Sequence, residues 1–289
     1  LPVSPRDEQW GIVCTTAGHQ HVPPGTPYPV SEHPEHYLFY KGSGRTLDEY
    51  QLVYITAGRG RFESASCPSQ TVEAGTMLLL FPNEWHSYSP DPGTGWTEWW
   101  VGFRGANIDR LEQQGFLCRR RPLLRIGCSG GIERCYREII GTVEEERVGF
   151  QPLISSIVLH ILGSVLFKHS NLLYSDNPVV EKINRAKAIM RTDFGRNRSP
   201  EQIAREVGMG YTWFRRVFRE YVGMAPAQYQ HTMRLNKARE LLATTAHSIS
   251  EIAYALGFES VSAFSLIFRL RERLSPSQYR ARFRGGKGQ

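Results

Sequence analysis

The chain has 289 residues, which suggests two domains of ordinary size, and its 40% hydrophobic content is enough for two buried cores. Its net charge of +7 is unevenly divided: residues 1–176 hold 15 basic and 19 acidic side chains, whereas residues 177–289 hold 20 and 9. The composition excludes a largely disordered chain. The charge distribution predicts that the basic second half binds an anionic partner, either nucleic acid or a membrane surface.

Short segments rich in Tyr, Val, Phe and Thr predict β-strands in the first half. A turn is predicted at residues 57–60, and a loop at residues 90–95 joins a hairpin-like pair. Many short strands broken by Gly and Pro predict a small barrel or sandwich. The predicted strand segments are residues 50–56, 61–63, 77–81, 85–88 and 96–103.

The last of these strands has an aromatic and acidic face. A period of two places Trp96, Glu98 and Trp100 on one side of it, and Thr97, Trp99 and Val101 on the other. Aromatic rings can cover the apolar face of a pyranose, and carboxylate, hydroxyl and imidazole groups can bind its hydroxyls. This face predicts a sugar site. The alternative, that the tryptophans simply fill a core, stays open.

Residues 132–170 are predicted to form a helical connector. One helix precedes the acidic run at residues 144–146, and a second starts at Pro152. The broad apolar face of the second helix predicts either a dimer seam or packing against the chain's own barrel. The apolar positions are Ile132, Ile139, Ile140 and Val143 in the first helix, and Leu153, Ile154, Ile157, Val158, Ile161, Leu162, Val165 and Leu166 in the second.

Cysteine usage and targeting signals bear on the compartment. Five cysteines, odd in number and without C-x-x-C spacing, predict neither a disulfide framework nor a zinc site and favour a reducing compartment such as the cytoplasm. The first residues lack the basic and apolar regions of a signal peptide. The most apolar segment, residues 153–167, is too short to span a bilayer as a helix. No membrane partner is predicted.

The C-terminal half contains two similar copies, residues 203–229 and 252–279. The offset between matching residues is 49 up to Gly208 and Gly257, and 50 after them, so one residue is inserted in the second turn. Because insertions fall in turns while helix spacing is kept, each copy is predicted to be a helix, a turn and a helix.

Local chemistry favours the same structure. Ser199 with Gln202 and Ser248 with Glu251 fit capping boxes, and Gly208 is predicted to end its helix in a left-handed conformation. Opposite the apolar face, the second helix presents a stripe of hydrogen-bond donors. An arginine there can donate two hydrogen bonds to a guanine edge in the major groove, and others can bind phosphate. The stripe consists of Thr212, Arg215, Arg216 and Arg219.

The second copy has weaker donors at the matching positions, Ser262, Ser265, Leu266 and Arg269. Leu266 either touches a thymine methyl group or packs on neighbouring side chains, and both readings stay open. A helix predicted over residues 227–244 would hold the two recognition helices in place. A helical repeat that binds no DNA is the alternative, and the charge and the donor stripe argue against it.

Residues from about 180 to 284 resemble the DNA-binding domain of the AraC/XylS family of transcription regulators. The resemblance implies binding of double-stranded, direct-repeat DNA, a homodimer, contact with RNA polymerase and activation of sugar-utilisation genes. The sequence departs from the family at Leu266 and Arg273, where Arg and Gly are usual. The most specific matches are Ile252-Ala253, Gly257-Phe258-Glu259-Ser260, Phe264, Phe268 and Ser275-Pro276-Ser277-Gln278-Tyr279-Arg280.

Residues 36–104 resemble the cupin-like ligand-binding domain of arabinose-type members of that family. The matching words are Ala74-Gly75-Thr76, Leu78 to Pro82, Glu84 to Tyr88 and Trp96 to Phe103. The resemblance implies that Tyr88, Glu98 and Trp100 line a sugar pocket. Ala57 stands where those relatives have an arginine, which argues against arabinose itself. The predicted ligand-binding residues are Tyr88, Trp96, Glu98, Trp100 and His86.

A cupin-like barrel also admits a metalloenzyme as an alternative function, and a sensor of a non-sugar effector is a second one. Metal-binding cupins use several histidines and a carboxylate, whereas His86 is the only histidine at the expected place. His19 and His21 precede prolines and are predicted to lie in a loop. The sequence predicts no catalytic residues, no metal and no cofactor.

These patterns together predict a two-domain fold: an N-terminal all-β cupin-like barrel with a helical connector, and a C-terminal all-α domain with two helix-turn-helix motifs. The predicted boundaries are residues 1–130 for the ligand-sensing barrel, 131–176 for the connector and 177–289 for the DNA-binding domain. The predicted function is a sequence-specific transcriptional regulator that responds to a small sugar.

Overall fold

The computed structural model describes residues 1–29, 44–172 and 177–284. Contacts within the chain divide it into two units, Leu1–Ser175 and Asp176–Gln289. The first unit contains the β-sheets and the second is helical, which confirms the predicted fold class. The predicted boundary at residue 176 and the first part of the predicted ligand-domain resemblance, residues 36–43, lie outside the described residues.

The strands of the first unit pair antiparallel in two sheets that share β3. One sheet has the order β1-β7-β3-β5-β8, and in the other β2 pairs with β6 while β6 and β4 pair with β3. The strands are β1 (Val13–Val22), β2 (Arg45–Thr46), β3 (Tyr50–Ser64), β4 (Cys67–Glu73), β5 (Thr76–Leu80), β6 (Trp85–Pro90), β7 (Trp96–Arg104) and β8 (Leu123–Arg125). The short helices α1 (Pro5–Glu8) and α2 (Ala106–Gln113) precede β1 and follow β7.

The long strand β3 corrects the predicted turn at residues 57–60. It is continuous over 15 residues, and it pairs first with β5 and β7 and then with β4 and β6. A bulge between Ile55 and Ala57 and a φ of 77° at Gly58 bend it at the crossing point. A Cβ atom at Gly58 would lie 2.1 Å from the carbonyl oxygen of Gly95. The glycines that suggested a turn therefore mark the corner where one strand changes sheets.

The predicted hairpin of β6 and β7 is also wrong. β6 pairs with β2 and β3, whereas β7 lies between β1 and β3 in the other sheet. The loop between β6 and β7 therefore carries the chain from one sheet to the other. Two short strands joined by a loop with Pro and Gly have the same sequence pattern whether or not they pair with each other. Which strands pair depends on the order of the whole sheet.

Two connector helices cover the outer face of the five-stranded sheet. They are α3 (Gly130–Glu145) and α4 (Phe150–Leu172), and their apolar residues share one core with the sheet. Ile157 and Ile161 are 9% and 0% exposed within this core. Apart from the exposed Leu153, the broad apolar face thus packs against the chain's own barrel, and a dimer seam over this buried part is wrong. On the sheet side, this core contains Tyr54 and Trp99, which are part of the apolar surface that the two helices cover.

Helix α4 is longer than the apolar segment that the sequence suggested. Its 23 residues are long and apolar enough to cross a membrane by length and composition, so the prediction that it is too short is wrong. Polar contacts fix it to the edge strand β1. Gln151 accepts a hydrogen bond from the backbone N–H of Cys14 at 3.0 Å and donates one to its carbonyl at 2.9 Å, and Ser155 donates to the carbonyl of Ile12. These contacts and its buried apolar side make α4 a core helix of this unit.

The second unit consists of two helix-turn-helix copies around a central helix. Its helices are α5 (Pro178–Thr192), α6 (Pro200–Glu206), α7 (Tyr211–Val222), α8 (Pro226–Thr244), α9 (Ile249–Ala255), α10 (Val261–Glu272) and α11 (Pro276–Arg284). Tyr229 of α8 is buried in the core of the first copy, and Leu242 is buried in the core of the second. The central helix therefore joins the two cores, as its apolar residues predicted.

Both predicted capping boxes are present. Ser199 accepts a hydrogen bond from the backbone of Gln202 at the start of α6, and Ser248 accepts one from the backbone of Glu251 at the start of α9. Gly208 follows α6 with a φ of 68°, which confirms the predicted left-handed helix end. The local signals of the duplicated motif therefore lie where the sequence placed them.

Candidate effector site and nucleic-acid interface

Strand β7 separates its side chains between two cores, as its period predicted. Trp96 and Trp100 belong to the inner core that β3, β5 and β6 also line, whereas Trp99 and Val101 belong to the core under α3 and α4. Glu98 lies between the two inner tryptophans in sequence and is 1% exposed. The inner face thus combines aromatic rings with one buried carboxyl group.

The carboxyl group of Glu98 is held by a residue that the sequence did not single out. The hydroxyl of Tyr28 donates to Oε1 of Glu98 at 3.2 Å. Burial raises the pKa of Glu98 to about 7, although the Tyr28 hydrogen bond and the nearby charge of Arg45 act in the opposite direction. Burial also raises the pKa of Tyr28 well above its usual value. Near neutral pH the carboxyl can therefore accept hydrogen bonds or donate one.

A second polar group on this inner face is built on β6. Arg45 donates through Nε to Nε2 of His86 at 3.2 Å and through Nη2 to the hydroxyl of Tyr88 at 2.8 Å. Nδ1 of His86 lies 3.1 Å from the carbonyl of Glu84, so this nitrogen carries the proton. Burial and the Arg45 charge lower the pKa of His86 to about 4, so the ring stays neutral. Burial raises the pKa of Tyr88 to about 12.

The aromatic rings connect these polar groups into one cluster. The centroid of the Tyr88 ring lies 6.2 Å from that of His86 and 6.0 Å from that of Trp96, and Tyr28 meets Trp96 edge to face at 5.8 Å. The indole Nε1 of Trp96 is buried and has no hydrogen-bond partner among the described residues. The five predicted ligand residues therefore lie on one inner surface, with Trp100 at its partly buried edge.

A cavity of about 410 Å³ opens beside this cluster. Tyr28 and Tyr88 line it together with Ser87, Ser89 and a proline-rich wall, which consists of Pro23, Pro27, Pro90 and Pro92. Tyr28 therefore contacts both the cavity and the carboxyl group of Glu98. Neither Tyr28 nor Arg45 gives a sequence signal, because one follows a proline-rich segment and the other lies on a two-residue strand.

The histidine pair considered for a metal is not in a loop. His19 and His21 lie on β1, opposite Trp99 and Thr97, so the predicted loop position is wrong. The His19 ring lies 3.9 Å from that of Trp99, and Nδ1 of His21 lies 2.8 Å from the hydroxyl oxygen of Thr97. Within the described residues, no three His, Cys, Asp or Glu side chains are grouped so that they could hold a metal ion.

The first recognition helix, α7, presents its donor stripe to solvent. Phe214 and Phe218 are fully buried on the opposite side, which fixes the rotation of the helix. The four predicted donors are exposed and together line one open concavity of about 500 Å³, which Glu220 also borders. The residues of this stripe are Thr212, Arg215, Arg216 and Arg219.

The matching helix of the second copy, α10, has a different surface. Phe264 and Phe268 are buried as their counterparts are, while Leu266 is 60% exposed and belongs to neither core of this unit. Leu266 is therefore not a core residue of either copy, and its contact with a thymine methyl group stays a prediction. Leu270, one turn further on, is 74% exposed, and the sequence reading did not single it out. Ser262 and Arg269 are exposed, and Ser265 is half-buried.

Comparison with known proteins agrees with the two units. The family model of the AraC-like ligand binding domain matches residues 36–162, and the model of a helix-turn-helix domain matches residues 203–282. A ligand-binding domain and a helix-turn-helix domain in one chain define a DNA-binding transcriptional regulator that responds to an effector, and not an enzyme. The chain belongs to the AraC family of transcriptional regulators.

Two relatives resemble most of the chain, and one solved structure resembles a smaller part of it. The raffinose operon transcriptional regulatory protein RafR of Pediococcus pentosaceus is 24% identical over 83% of this chain and 87% of its own length. The transcriptional activator RhaS of Salmonella paratyphi B is 29% identical over 81% of this chain and 85% of its own. The crystal structure of an AraC-type regulator from Chromobacterium violaceum is 33% identical, covers 39% of this chain and all of its own, and has a TM-score of 0.35.

Proposed function

We propose that this chain activates carbohydrate-utilisation genes and that its effector is a small sugar bound on the inner face of the β unit. The observation that carries the proposal is the cluster of Trp96, Tyr88 and Tyr28 around the buried Glu98. Few polar groups among aromatic rings are typical of small-ligand sites, and aromatic rings suit the apolar face of a pyranose. The name of RafR, a raffinose operon regulator, supports the same effector class.

Tryptophan fluorescence of the full chain tests the effector class. The protein is titrated with raffinose, melibiose, rhamnose, xylose and arabinose, and with amino acids as non-sugar controls. We expect a saturable change with at least one sugar and its loss in Glu98→Gln, while Glu138→Gln, at an exposed position of α3, keeps it. A response only to a non-sugar compound would replace the sugar by another effector, and the absence of any saturable response would refute the proposal.

The DNA-binding part of the function rests on the exposed arginines of α7, which fit guanine edges and phosphates. We propose as DNA-contacting residues the eight that the sequence pointed to: Thr212, Arg215, Arg216, Arg219, Ser262, Ser265, Leu266 and Arg269. Bound sugar would favour one arrangement of the barrel, the connector and the DNA-binding domain over another. We also propose that the domain boundaries lie at residues 130 and 176, as the sequence predicted.

We also propose a homodimer, with its seam on the exposed side of α4. Leu153, Leu159 and Phe167 are 48%, 37% and 70% exposed there, and an added Cβ at Gly163 would meet nothing within 4 Å. Phe167→Asp is expected to turn the dimer into a monomer in sedimentation velocity. Phe116→Asp, at a site that is 61% exposed outside α4, is the matched control and keeps the dimer.

Two further expectations complete the proposal. Activation implies contact with RNA polymerase, which co-purification on promoter DNA tests. We also propose that the protein works in the reducing cytoplasm, and its five free cysteines support this.

A further inference from the structure

We propose that Leu266 reads a thymine methyl group, so that the DNA site of this chain has a guanine-reading half and a thymine-reading half. This inference rests on the proposed function, because it takes α7 and α10 as the two recognition helices. It assigns a base preference to the second copy, whose surface carries no arginine at the position that Arg216 occupies in the first.

The two recognition helices are rotated alike, which makes their surfaces comparable. Each buries two phenylalanines four residues apart, Phe214 and Phe218 in α7 and Phe264 and Phe268 in α10, all at 0% exposure. The position two residues after the first phenylalanine therefore points outward in the same direction on both helices. This position is Arg216 in one copy and Leu266 in the other.

The chemistry at this position differs completely between the copies. An arginine can donate two hydrogen bonds to N7 and O6 of guanine, whereas a leucine offers only apolar surface. The thymine methyl is the apolar group that base pairs display in the major groove. Ser262 and Ser265 are shorter than the Thr212 and Arg215 that precede Arg216, so they leave room for a methyl group to approach Leu266.

The surroundings of Leu266 indicate DNA as its partner and not another protein. Arg269, Arg271 and Arg273 are exposed on the same helix or at its end. Residues 177–289 as a whole hold 20 basic against 9 acidic side chains. A cationic rim around an apolar centre complements a groove that has phosphates at its edges and methyl groups on its floor. Leu270, at 74% exposure, extends the apolar surface by one turn.

The test uses the full chain and DNA selected from a random pool. Each thymine of the selected site is replaced in turn by deoxyuridine, which removes only the methyl group. We expect one replacement in the second half-site to weaken binding about four-fold, which is the equivalent of the roughly 0.8 kcal/mol that one buried methyl group contributes. Leu266→Ala is expected to bind the thymine and uracil sites equally. Leu266→Arg is expected to select guanine at that position.

Arg216→Ala is the matched control, because it lies at the same position of the other copy. It should weaken binding overall and keep the four-fold difference between thymine and uracil in the second half-site. Equal affinity of the wild type for all uracil-substituted sites would overturn the inference, and so would a thymine preference that Leu266→Ala retains. Loss of promoter activation by Leu266→Ala with unchanged DNA binding and unchanged base preference would also overturn it, in favour of a protein contact.

Failure of the proposed function has a different signature. In that case the wild-type chain shows no salt-sensitive affinity for any selected DNA, and no site is recovered. Leu266 is exposed, so its variants are expected to fold, and thermal unfolding of each variant checks this.

Discussion

Tyr28 and Glu98 meet on the inner face of the β unit, 70 residues apart in the chain, where the tyrosine hydroxyl donates to the carboxyl group at 3.2 Å. The same hydroxyl also lies 3.5 Å from Oε2 of Glu98, so Tyr28 connects the segment after β1 to the strand that carries both inner tryptophans. Burial raises the pKa of Glu98, and the hydrogen bond from Tyr28 lowers it by stabilising the charged carboxylate. Several consequences of this arrangement and of the recognition helices can be measured.

The first prediction concerns the pH dependence of stability. Burial raises the pKa of Glu98 from 4.5 to about 7 on folding. Between these two pH values the folded chain binds more protons than the unfolded chain, so this group lowers stability as pH rises from 4.5 to about 7. Glu98→Gln removes the titration. In urea unfolding, the stability of the wild type relative to Glu98→Gln should fall by roughly 2–3 kcal/mol between pH 4.5 and pH 8.

The pKa of His86 is shifted in the opposite direction, so its contribution to stability has to be separated from that of Glu98. Its folded pKa is lowered from 6.5 to about 4, so the stability it affects is lost as pH falls below 6.5. Comparing the wild type with Glu98→Gln cancels this contribution, because His86 is present in both. Tyr28→Phe should move the Glu98 transition to higher pH, since the lost hydrogen bond favours the charged form. A difference between wild type and Glu98→Gln that does not change with pH would show that Glu98 is not titrating in this range.

The second prediction concerns the glycine beneath Trp100. Gly18 of β1 pairs with Trp100 of β7, and a Cβ atom at Gly18 would lie 2.2 Å from Cζ2 of the indole ring. Gly18→Ala therefore displaces Trp100 from the edge of the proposed sugar site. We expect the affinity for the effector to fall about ten-fold, a loss of ~1.4 kcal/mol in binding free energy. Fluorescence titration measures this change. Gly141→Ala, where an added Cβ meets nothing within 4 Å, should leave the affinity unchanged.

The third prediction concerns Arg216 of α7, which is exposed at the centre of the donor stripe. Arg216→Ala should cost about 1–3 kcal/mol of binding to the selected DNA site and relax the preference for guanine at one position. Fluorescence anisotropy at fixed salt measures the affinity. Arg185→Ala removes another exposed charge, from α5, and should lower affinity much less and leave base preference intact. Equal effects of the two variants would mean that Arg216 contributes only general charge.

The fourth prediction concerns the ends of the two recognition helices. Gly223 ends α7 with a φ of 81°, and Arg273 ends α10 with a φ of 59°. A left-handed conformation is costly for a residue with a Cβ atom. Arg273→Gly should therefore raise the free energy of unfolding of this unit by about 1 kcal/mol, and Gly223→Ala should lower it by about as much.

The space around Gly223 makes this pair of variants interpretable. An added Cβ there meets nothing within 4 Å, so backbone conformation alone accounts for the expected loss. Denaturant unfolding followed by circular dichroism measures both changes. A stabilisation by Gly223→Ala would contradict the left-handed helix end.

The recognition helices were predictable because their signals are local. Ser199 with Gln202 and Phe214 with Phe218 are separated by three and four residues, which are the distances over which a helix brings side chains together. The alternation in β7 is equally local, and it placed Trp96, Glu98 and Trp100 on one face. The same period placed Leu266 on the outward side of α10, where it is 60% exposed.

The partners of the inner site and the sheet order could not be predicted in this way. Arg45 reaches His86 and Tyr88 across 41 and 43 residues, and nothing near Arg45 in sequence indicates this pairing. The corner in β3 resembled a turn, since glycines permit both. The apolar face of α4 suited a second copy of the chain as well as the sheet that covers it.

The sequence by itself determined the two units, the duplicated helix-turn-helix motif and the buried and exposed faces of several strands and helices. These features depend on residue type and hydrophobic period, which act between residues a few positions apart. The tertiary structure decided which faces are covered, which strand changes sheets and which polar groups meet Glu98. The physical reason is that these contacts join residues tens of positions apart, and their geometry is set by sheet order and packing.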